Sequence, residues 1–329
     1  MEVPGVASIA EFAKSFSFKP AFRSFSLLIV LISCSFLAYK LFAYQQYEAL
    51  FVQWKQMPLS SLWWLAGLLS LLPLNWVLEA LKWKFLTSPV QKINITTSIK
   101  SVLSGVSTGF FTPNRVGELV GRIAFLEPEN RKAGITLSLV NSLTQNVVMA
   151  CCGIPACILF LSVTAGGLQP DMFYFISILM VGVLVLGAVY FTLPRWSLQF
   201  KLTRLSVKLK GFTDCLSGYN LRNLLQIILV SFLRYGIFCT QLYFMLRFFY
   251  VELTPWQALI AIPTTYLFVT FTPSLAFSEA AVRSSYAVLV VGAFSPQVVN
   301  IALAGVCIWT VNVVVPMLAG SVLIIGKKS

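Results

Sequence analysis

"GFFTPNRVGELVGR" (residues 109–122) places three charged side chains and a proline directly behind an apolar run. A second stretch, "TFTPSLAFSEAAVR" (residues 270–283), repeats this arrangement near the other end of the chain. Each contains Phe-Thr-Pro, and each continues with a glutamate that is followed four residues later by an arginine. Breaks at corresponding positions of two apolar segments are typical of membrane transporters, where they mark the central site.

The composition of the chain indicates a membrane protein. Of its 329 residues, 58% are hydrophobic and only 11% are charged, and the mean hydropathy is +0.83. A soluble domain carries roughly 25% charged residues, whereas apolar runs of about 18 residues or more mark transmembrane helices. We therefore expect an all-α polytopic membrane protein.

Six segments are long and apolar enough to cross a bilayer, and two shorter ones end at Phe-Thr-Pro. Apolar segments of about 10–14 residues more often enter and turn back than span a membrane. The sequence thus predicts about six full transmembrane helices and two re-entrant helix pairs in one membrane domain, 1–329. The predicted spans are about 24–46, 60–81, 133–155, 172–193, 223–249 and 298–325, and the short segments are about 97–111 and 257–271.

Basic residues predict the orientation, because short cytoplasmic loops are enriched in Lys and Arg. Lys14, Lys19 and Arg23 precede the first span, Lys327 and Lys328 follow the last one, and a basic loop, 194–222, lies in the middle. These basic groups all lie on the same side of the membrane only if each short segment enters the bilayer and returns to the side from which it came. We therefore expect cytoplasmic N- and C-termini in the cell (inner) membrane. The 24 basic against 11 acidic residues reflect this anchoring, and nothing indicates a nucleic-acid partner.

The two halves of the chain, about 24–155 and 172–325, show the same order of two spans, a re-entrant segment and a third span. They start from opposite sides of the membrane, so they form a predicted inverted-topology repeat. The motif Thr144-Gln145-Asn146-Val147-Val148 in the third span also matches Thr310-Val311-Asn312-Val313-Val314 in the sixth.

The two breaks predict a candidate binding site. Thr112-Pro113 and Thr272-Pro273 have the sequence of a helix N-cap followed by proline, and helix N-termini attract phosphate or carboxylate groups. The candidate substrate-binding residues are Thr112, Pro113, Arg115, Glu118, Arg122, Asn146, Arg234, Thr272, Ser274, Glu279, Arg283 and Asn312.

Two interpretations of these charges stay open: ion pairs that lock the short helices, or ligands for an anionic head group. Glu118 and Glu279 would then serve as counter-ions or proton carriers. Arg234 lies too deep in its span to reach either interface. Glu79 and Trp83 are expected at the membrane interface.

The residue inventory argues against an enzyme. The chain contains no histidine and only two aspartates, Asp171 and Asp214. Zinc triads, serine hydrolysis and most general-base catalysis are therefore excluded. No P-loop is present. We expect no catalytic residues, no metal and no cofactor.

The run "GFFTPNRVGELVGRIAFL" resembles the flippase-like membrane domain of lysylphosphatidylglycerol synthases. Thr112, Pro113, Arg115, Gly117, Glu118 and Arg122 match that family's first element, whereas Asn114 replaces its usual glycine. The second element departs further, with Ser274-Leu275-Ala276-Phe277-Ser278 before Glu279. The resemblance covers essentially the whole chain and implies translocation of a lipid. The soluble aminoacyl-transfer domain is expected to be absent, so lysyl transfer from tRNA is not expected.

The leading hypothesis is a lipid flippase or lipid-linked-precursor transporter whose partner is a membrane lipid with an anionic or lipid-linked head group. The alternatives are an intramembrane enzyme, such as a glycosyl- or phospho-transferase acting on a polyprenyl carrier, or an accessory to one, and a non-catalytic scaffold that binds envelope-biosynthesis enzymes. The lipid, the direction and energy source of transport, and the oligomeric state stay open.

Overall fold

A computed structural model describes residues 20–45, 47–112, 115–167, 172–200, 214–274 and 276–325 of the chain. These residues are largely helical and contain no strand. Among the described residues, three short 3₁₀ helices connect longer ones. In chain order the helices are α1 (Pro20–Phe42), α2 (Tyr47–Lys55), α3 (Leu62–Thr87), α4 (Ile95–Phe110), α5 (Gly117–Ile123), α6 (Arg131–Thr164), α7 (Met172–Phe200), α8 (Leu221–Phe248), α9 (Pro255–Phe271), α10 (Ala276–Val291), α11 (Val298–Trp309) and, after a π-helical turn (Thr310–Val314), α12 (Val315–Ile325).

Five stretches within the described ranges are helical, long and apolar enough to cross a membrane, and they coincide with five of the six predicted spans. The first predicted span coincides with α1, whose described apolar stretch, Leu31–Phe42, is shorter. The protein is therefore an all-helical, multi-pass membrane protein. The five stretches are Leu59–Thr87, Pro128–Thr164, Ile176–Arg195, Leu221–Phe248 and Val298–Leu323.

Polar side chains fix where three of the helices begin. The Asn94 side chain accepts a hydrogen bond from the Thr97 backbone N–H at the start of α4 (2.7 Å). At the start of α9, Thr254 and Gln257 form a reciprocal capping box. At the start of α8, the Asn220 side chain accepts a single hydrogen bond from the Asn223 backbone N–H (2.9 Å). Each side chain pairs a backbone N–H that the first helical turn leaves free.

The N-cap patterns at Thr112-Pro113 and Thr272-Pro273 predict that α-helices restart there, and this prediction is wrong, because both helices begin further along the chain. Helix α5 begins at Gly117 and α10 begins at Ala276. The Thr112 hydroxyl does accept a hydrogen bond from the Gly117 N–H (2.7 Å), five residues further along the chain. Thr272 instead ends α9 with extended backbone, and its hydroxyl lies 2.9 Å from that of Tyr286.

The turn before α5 contains a backbone conformation that non-glycine residues rarely adopt. Arg115 has a φ of 56°, in the left-handed region. Pro113 and Asn114 lie outside the described residues. Two hydrogen bonds show that α5 runs back along α4. Ser101 Oγ donates to the Arg122 carbonyl (2.7 Å), and Thr108 Oγ1 donates to the Gly117 carbonyl (2.7 Å).

Glycine allows α4 and α5 to approach this closely. A Cβ atom on Gly121 would lie 2.3 Å from Thr108 Oγ1 and 2.4 Å from the Ser104 carbonyl oxygen. The Ser104 carbonyl oxygen and the Gly105 Cα, 2.6 Å away, are backbone atoms of α4 and leave no room for a methyl group, so the hairpin depends on a glycine at this position.

We expect Gly121→Ala to lower the free energy of unfolding by about 2 kcal/mol, because overpacking typically destabilises by about 1–3 kcal/mol. Gly236→Ala on α8 is the matched control, since no atom lies within 4 Å of its added Cβ. It should leave stability unchanged or raise it by up to about 1 kcal/mol. Thermal unfolding in detergent measures both variants, and equal midpoints would contradict the close packing.

The helices pack in a reciprocal pattern. The hairpin α4–α5 packs against α12 through α4 and against α6 through α5. The pair α9–α10 packs against α6 through α9 and against α11 through α10. Helices α3 and α8 pack against each other. The two broken helix pairs are thus held between the long helices, and the ends at which they break face a common space.

Candidate functional site

A partly open cavity of about 740 Å³ lies where the two broken helix pairs meet. Its wall is formed by α3 to α6, α8 to α10, the π-helical turn and α12. Seven of its lining residues are charged: Glu79, Arg115, Glu118, Arg122, Arg234, Glu279 and Arg283. Ion pairs connect them into two groups, which are centred on Glu79 and on Glu279.

Glu79 on α3 is the centre of the first group, and its side chain is buried. Arg122 Nη2 donates to Glu79 Oε1 (2.5 Å), and Arg234 Nη1 lies 3.1 Å from Glu79 Oε2. Lys82 Nζ, one helical turn further along α3, lies 3.1 Å from the same oxygen. Arg122 also pairs with Glu118 on its own helix (2.5 Å). One buried carboxylate therefore joins three cations from α3, α5 and α8.

Amide side chains complete this group. Asn141 Nδ2 donates to Glu79 Oε1 (2.8 Å), and Asn75 Oδ1 accepts from Arg234 Nε (2.9 Å). Gln145 Oε1 lies 3.5 Å from Lys82 Nζ and 3.4 Å from Arg234 Nη1. Asn141 and Gln145, which both lie on α6, therefore face the charged residues of α3 and α8.

Glu279 on α10 is the centre of the second group. Arg115 Nη2 donates to Glu279 Oε2 (2.6 Å), and Arg283 Nη2 donates to Glu279 Oε1 (2.8 Å). Arg115 belongs to the turn before α5, whereas Glu279 belongs to the second broken pair. The Arg115–Glu279 ion pair consequently connects the two breaks directly.

Three of the guanidinium groups lie against aromatic rings. Arg122 lies 5.5 Å from the Trp83 ring centroid, Arg234 lies 4.8 Å from Phe238 and Arg283 lies 5.8 Å from Tyr266. A cation over an aromatic face is stabilised by the ring quadrupole, and more strongly where water is excluded. These contacts hold the cations in fixed positions without neutralising them.

Several buried polar atoms of the cavity wall have no hydrogen-bond partner within the described part of the chain. They are Glu79 Oε2, Arg122 Nη1, Ser138 Oγ, Asn141 Oδ1, Gln145 Nε2, Arg283 Nε and Asn312 Nδ2. Four of the seven are N–H donors, and Glu79 Oε2 is already engaged in ion pairs. Buried polar groups are normally paired, so the four N–H donors are available to a bound group that accepts hydrogen bonds.

Ten of the twelve residues predicted from sequence line this cavity: Arg115, Glu118, Arg122, Asn146, Arg234, Thr272, Ser274, Glu279, Arg283 and Asn312. Thr112 is not in the wall and instead holds the turn through Gly117. Pro113 lies outside the described residues, so its role stays a prediction.

The expectation that Glu79 lies at a membrane interface is wrong, and so is the same expectation for Trp83. Glu79 is 2% exposed and Trp83 is fully buried, because Glu79 faces Arg122 of α5 and Arg234 of α8 and the Trp83 ring lies against Arg122. Lys82 is also fully buried and was not predicted as part of the site. The spacing of Glu79 and Lys82, three residues apart on one helix face, was the signal available in the sequence.

The arrangement can bind an anion, because cations and unpaired donors from several helices converge on one space. No group of three or more His, Cys, Asp or Glu residues that could hold a metal ion occurs in the described ranges. The fold and this cavity define a multi-pass membrane protein with a charged site among its helices.

Residues 24–320 match the model of the family described as "Lysylphosphatidylglycerol synthase TM region". The chain belongs to this family, which confirms the resemblance seen in the motif around Thr112 and relates the protein to lipid handling. A comparison with curated proteins found no match.

Proposed function

We propose that this protein is a lipid flippase that moves a lipid with an anionic head group, or a lipid-linked precursor, between the leaflets of the cell membrane. The observation that supports this function most directly is the partly open cavity in which Arg115, Arg234 and Arg283 converge among membrane-spanning helices. Charged side chains inside a membrane are costly and usually line a substrate pathway or cavity. Membership of a family associated with lipids supports the same function.

The proposed architecture is an inverted-topology repeat of about 24–155 and 172–325, with the two broken pairs as re-entrant hairpins. The reciprocal packing supports it, because α4 packs against α12 while α9 packs against α6. In the proposed repeat, α4 corresponds to α9 and α6 corresponds to the segment α11–α12. Each of the two contacts is therefore the counterpart of the other. The N- and C-termini are cytoplasmic in this proposal, as the basic residues predict.

The head group would occupy the cavity while the acyl chains stay in the bilayer. Arg234 lies near the middle of α8, about 20 Å from either end at 1.5 Å per residue. Its side chain is 20% exposed, so it is accessible from the cavity. Leu139 and Phe271 belong to the wall and are 52% and 48% exposed. They give the cavity an apolar edge that suits the hydrocarbon next to a polar head group.

Transport of this kind needs no bond to form or break. As a head group enters, Arg115, Arg234 and Arg283 exchange part of their contact with Glu79 and Glu279 for contact with its anionic oxygens. Because the carboxylates remain nearby, the arginines stay paired after the head group leaves. We therefore infer a transporter that is not an enzyme and needs no cofactor.

The test is transbilayer movement of a fluorescent anionic phospholipid in vesicles that contain the intact chain. We expect movement above that of protein-free vesicles, and we expect Arg234→Gln to reduce it by about tenfold, the effect of losing about 1.4 kcal/mol of binding. Arg247→Gln is the matched control, since Arg247 lies on the same helix, outside the cavity wall, against Trp64.

Wild-type protein that moves no lipid would overturn the proposed flippase and favour a scaffold role. Equal rates for Arg234→Gln and the wild type would show that lipid moves by a route other than this cavity. Turnover of a labelled lipid by detergent-purified protein would point instead to an enzyme.

A further inference from the structure

The charged groups around the cavity do not balance. Five cations, Lys82, Arg115, Arg122, Arg234 and Arg283, are held by three carboxylates, Glu79, Glu118 and Glu279. Within the described ranges, these ion pairs leave two positive charges in excess.

The excess is concentrated around Glu79. Glu79 alone pairs with Lys82, Arg122 and Arg234. Lys82 is fully buried behind the cavity wall, so it adds charge to the site without forming part of its surface. Uncompensated charge in a low-dielectric interior is destabilising, and a bound anion of matching charge would relieve it.

The cavity also offers hydrogen-bond donors for such an anion. Arg122 is 2% exposed and Gln145 is 9% exposed, and the Nη1 atom of the first and the Nε2 atom of the second are unpaired among the described residues. Asn312 adds a third unpaired donor, Nδ2. Guanidinium groups and amide N–H groups are the donors that recognise phosphoryl oxygens.

We propose that the site selects a head group that carries a terminal phosphoryl group with two negative charges, such as a phosphomonoester lipid. A phosphomonoester is close to doubly ionised at neutral pH because its second pKa is about 6. It offers three acceptor oxygens and neutralises both excess charges. A phosphodiester carries one charge and leaves one cation uncompensated. This inference rests on the proposed function and specifies the substrate class of the same site.

The test compares two lipids with identical acyl chains, dioleoylphosphatidic acid and dioleoylphosphatidylglycerol, for binding to the intact chain in detergent and for movement in vesicles. We expect phosphatidic acid to bind about tenfold more tightly, or about 1.4 kcal/mol. Inorganic phosphate serves as a competitor, and we expect it to bind far more weakly than the lipid.

Lys82→Met is the sharpest variant, because it removes one excess charge and leaves the surface of the cavity unchanged. We expect the preference for phosphatidic acid over phosphatidylglycerol to fall by about tenfold, the loss of about 1.4 kcal/mol. Lys84→Met is the matched control, two residues along the same helix and outside the cavity wall, and it should keep the wild-type preference.

The outcomes separate this inference from the proposed function. If the wild type moves phosphatidylglycerol and binds it as tightly as phosphatidic acid, the charge selection is overturned and the flippase stands. If neither lipid binds or moves, both fail. If inorganic phosphate binds as tightly as phosphatidic acid, the site takes a soluble phosphate and the lipid substrate class is overturned. The wild-type comparison decides the question even where Lys82→Met does not fold.

Discussion

Replacing Glu79 with glutamine is expected to lower the free energy of unfolding by about 3–5 kcal/mol, the cost of breaking a buried ion pair. Glu79 is the one carboxylate within ion-pair distance of Lys82 and Arg234 in the described part of the chain. The substitution preserves shape but leaves these two cations without a counter-charge. Arg122 keeps Glu118 as a partner, so most of the loss arises from the other two.

Unfolding monitored by denaturant titration in mixed micelles measures this effect. Glu127→Gln on the exposed surface is the charge-matched control and should change stability by less than about 0.5 kcal/mol. In the double variant Glu79→Gln/Lys82→Met one stranded cation is removed, so part of the stability should return. A Glu79→Gln protein as stable as the wild type would show that the buried group does not depend on its central carboxylate.

Arg115→Gln is expected to slow lipid movement by about tenfold or more while changing stability by less than about 1 kcal/mol, because partly exposed ion pairs contribute little. The Arg115 side chain is 37% exposed, and Glu279 retains Arg283 as a partner at 2.8 Å. The substitution removes both a cation of the cavity and the connection between the two broken helix pairs. The rate of lipid movement should therefore fall far more than the free energy of unfolding.

Two variants distinguish a role in binding from a role in folding. Arg115→Lys keeps the charge but loses the planar fork of the guanidinium, so it should retain more transport than Arg115→Gln. Lys100→Gln on the exposed face of α4 should leave movement and stability unchanged. If Arg115→Gln unfolds the protein, the ion pair is mainly structural; if it transports normally, Arg115 does not contact the head group.

Much of the fold could be predicted from hydrophobicity, because segments that cross a membrane must be long and apolar. Five of six predicted spans coincide with helices that can cross a membrane, and both short segments coincide with helices that end at the Phe-Thr-Pro breaks. The start of α5 could not be predicted from Thr112 and Pro113. It depends on the unusual backbone of Arg115 and on contacts with α4 that local propensity does not describe.

The residues of the candidate site could be predicted from sequence where charged residues follow a Phe-Thr-Pro break, and less well elsewhere. Arg115, Glu118 and Arg122 stand out in sequence because they follow Phe-Thr-Pro. Glu79 and Lys82 lie closer to the end of a long apolar helix, where a charged side chain can usually reach water. The packing of α5, α6 and α8 around α3 encloses them, and that tertiary arrangement has no local signal.

The central claim is that the charged cavity holds a lipid head group, and native mass spectrometry of the intact protein, released from mild detergent, tests it most directly. We predict a co-purified phospholipid on the wild type and on Arg247→Gln, and its loss from Arg234→Gln. The fragmentation of the released lipid identifies its head group, which we expect to be anionic. A wild-type protein that carries no lipid, or an Arg234→Gln protein that retains the same lipid to the same extent, would contradict the account.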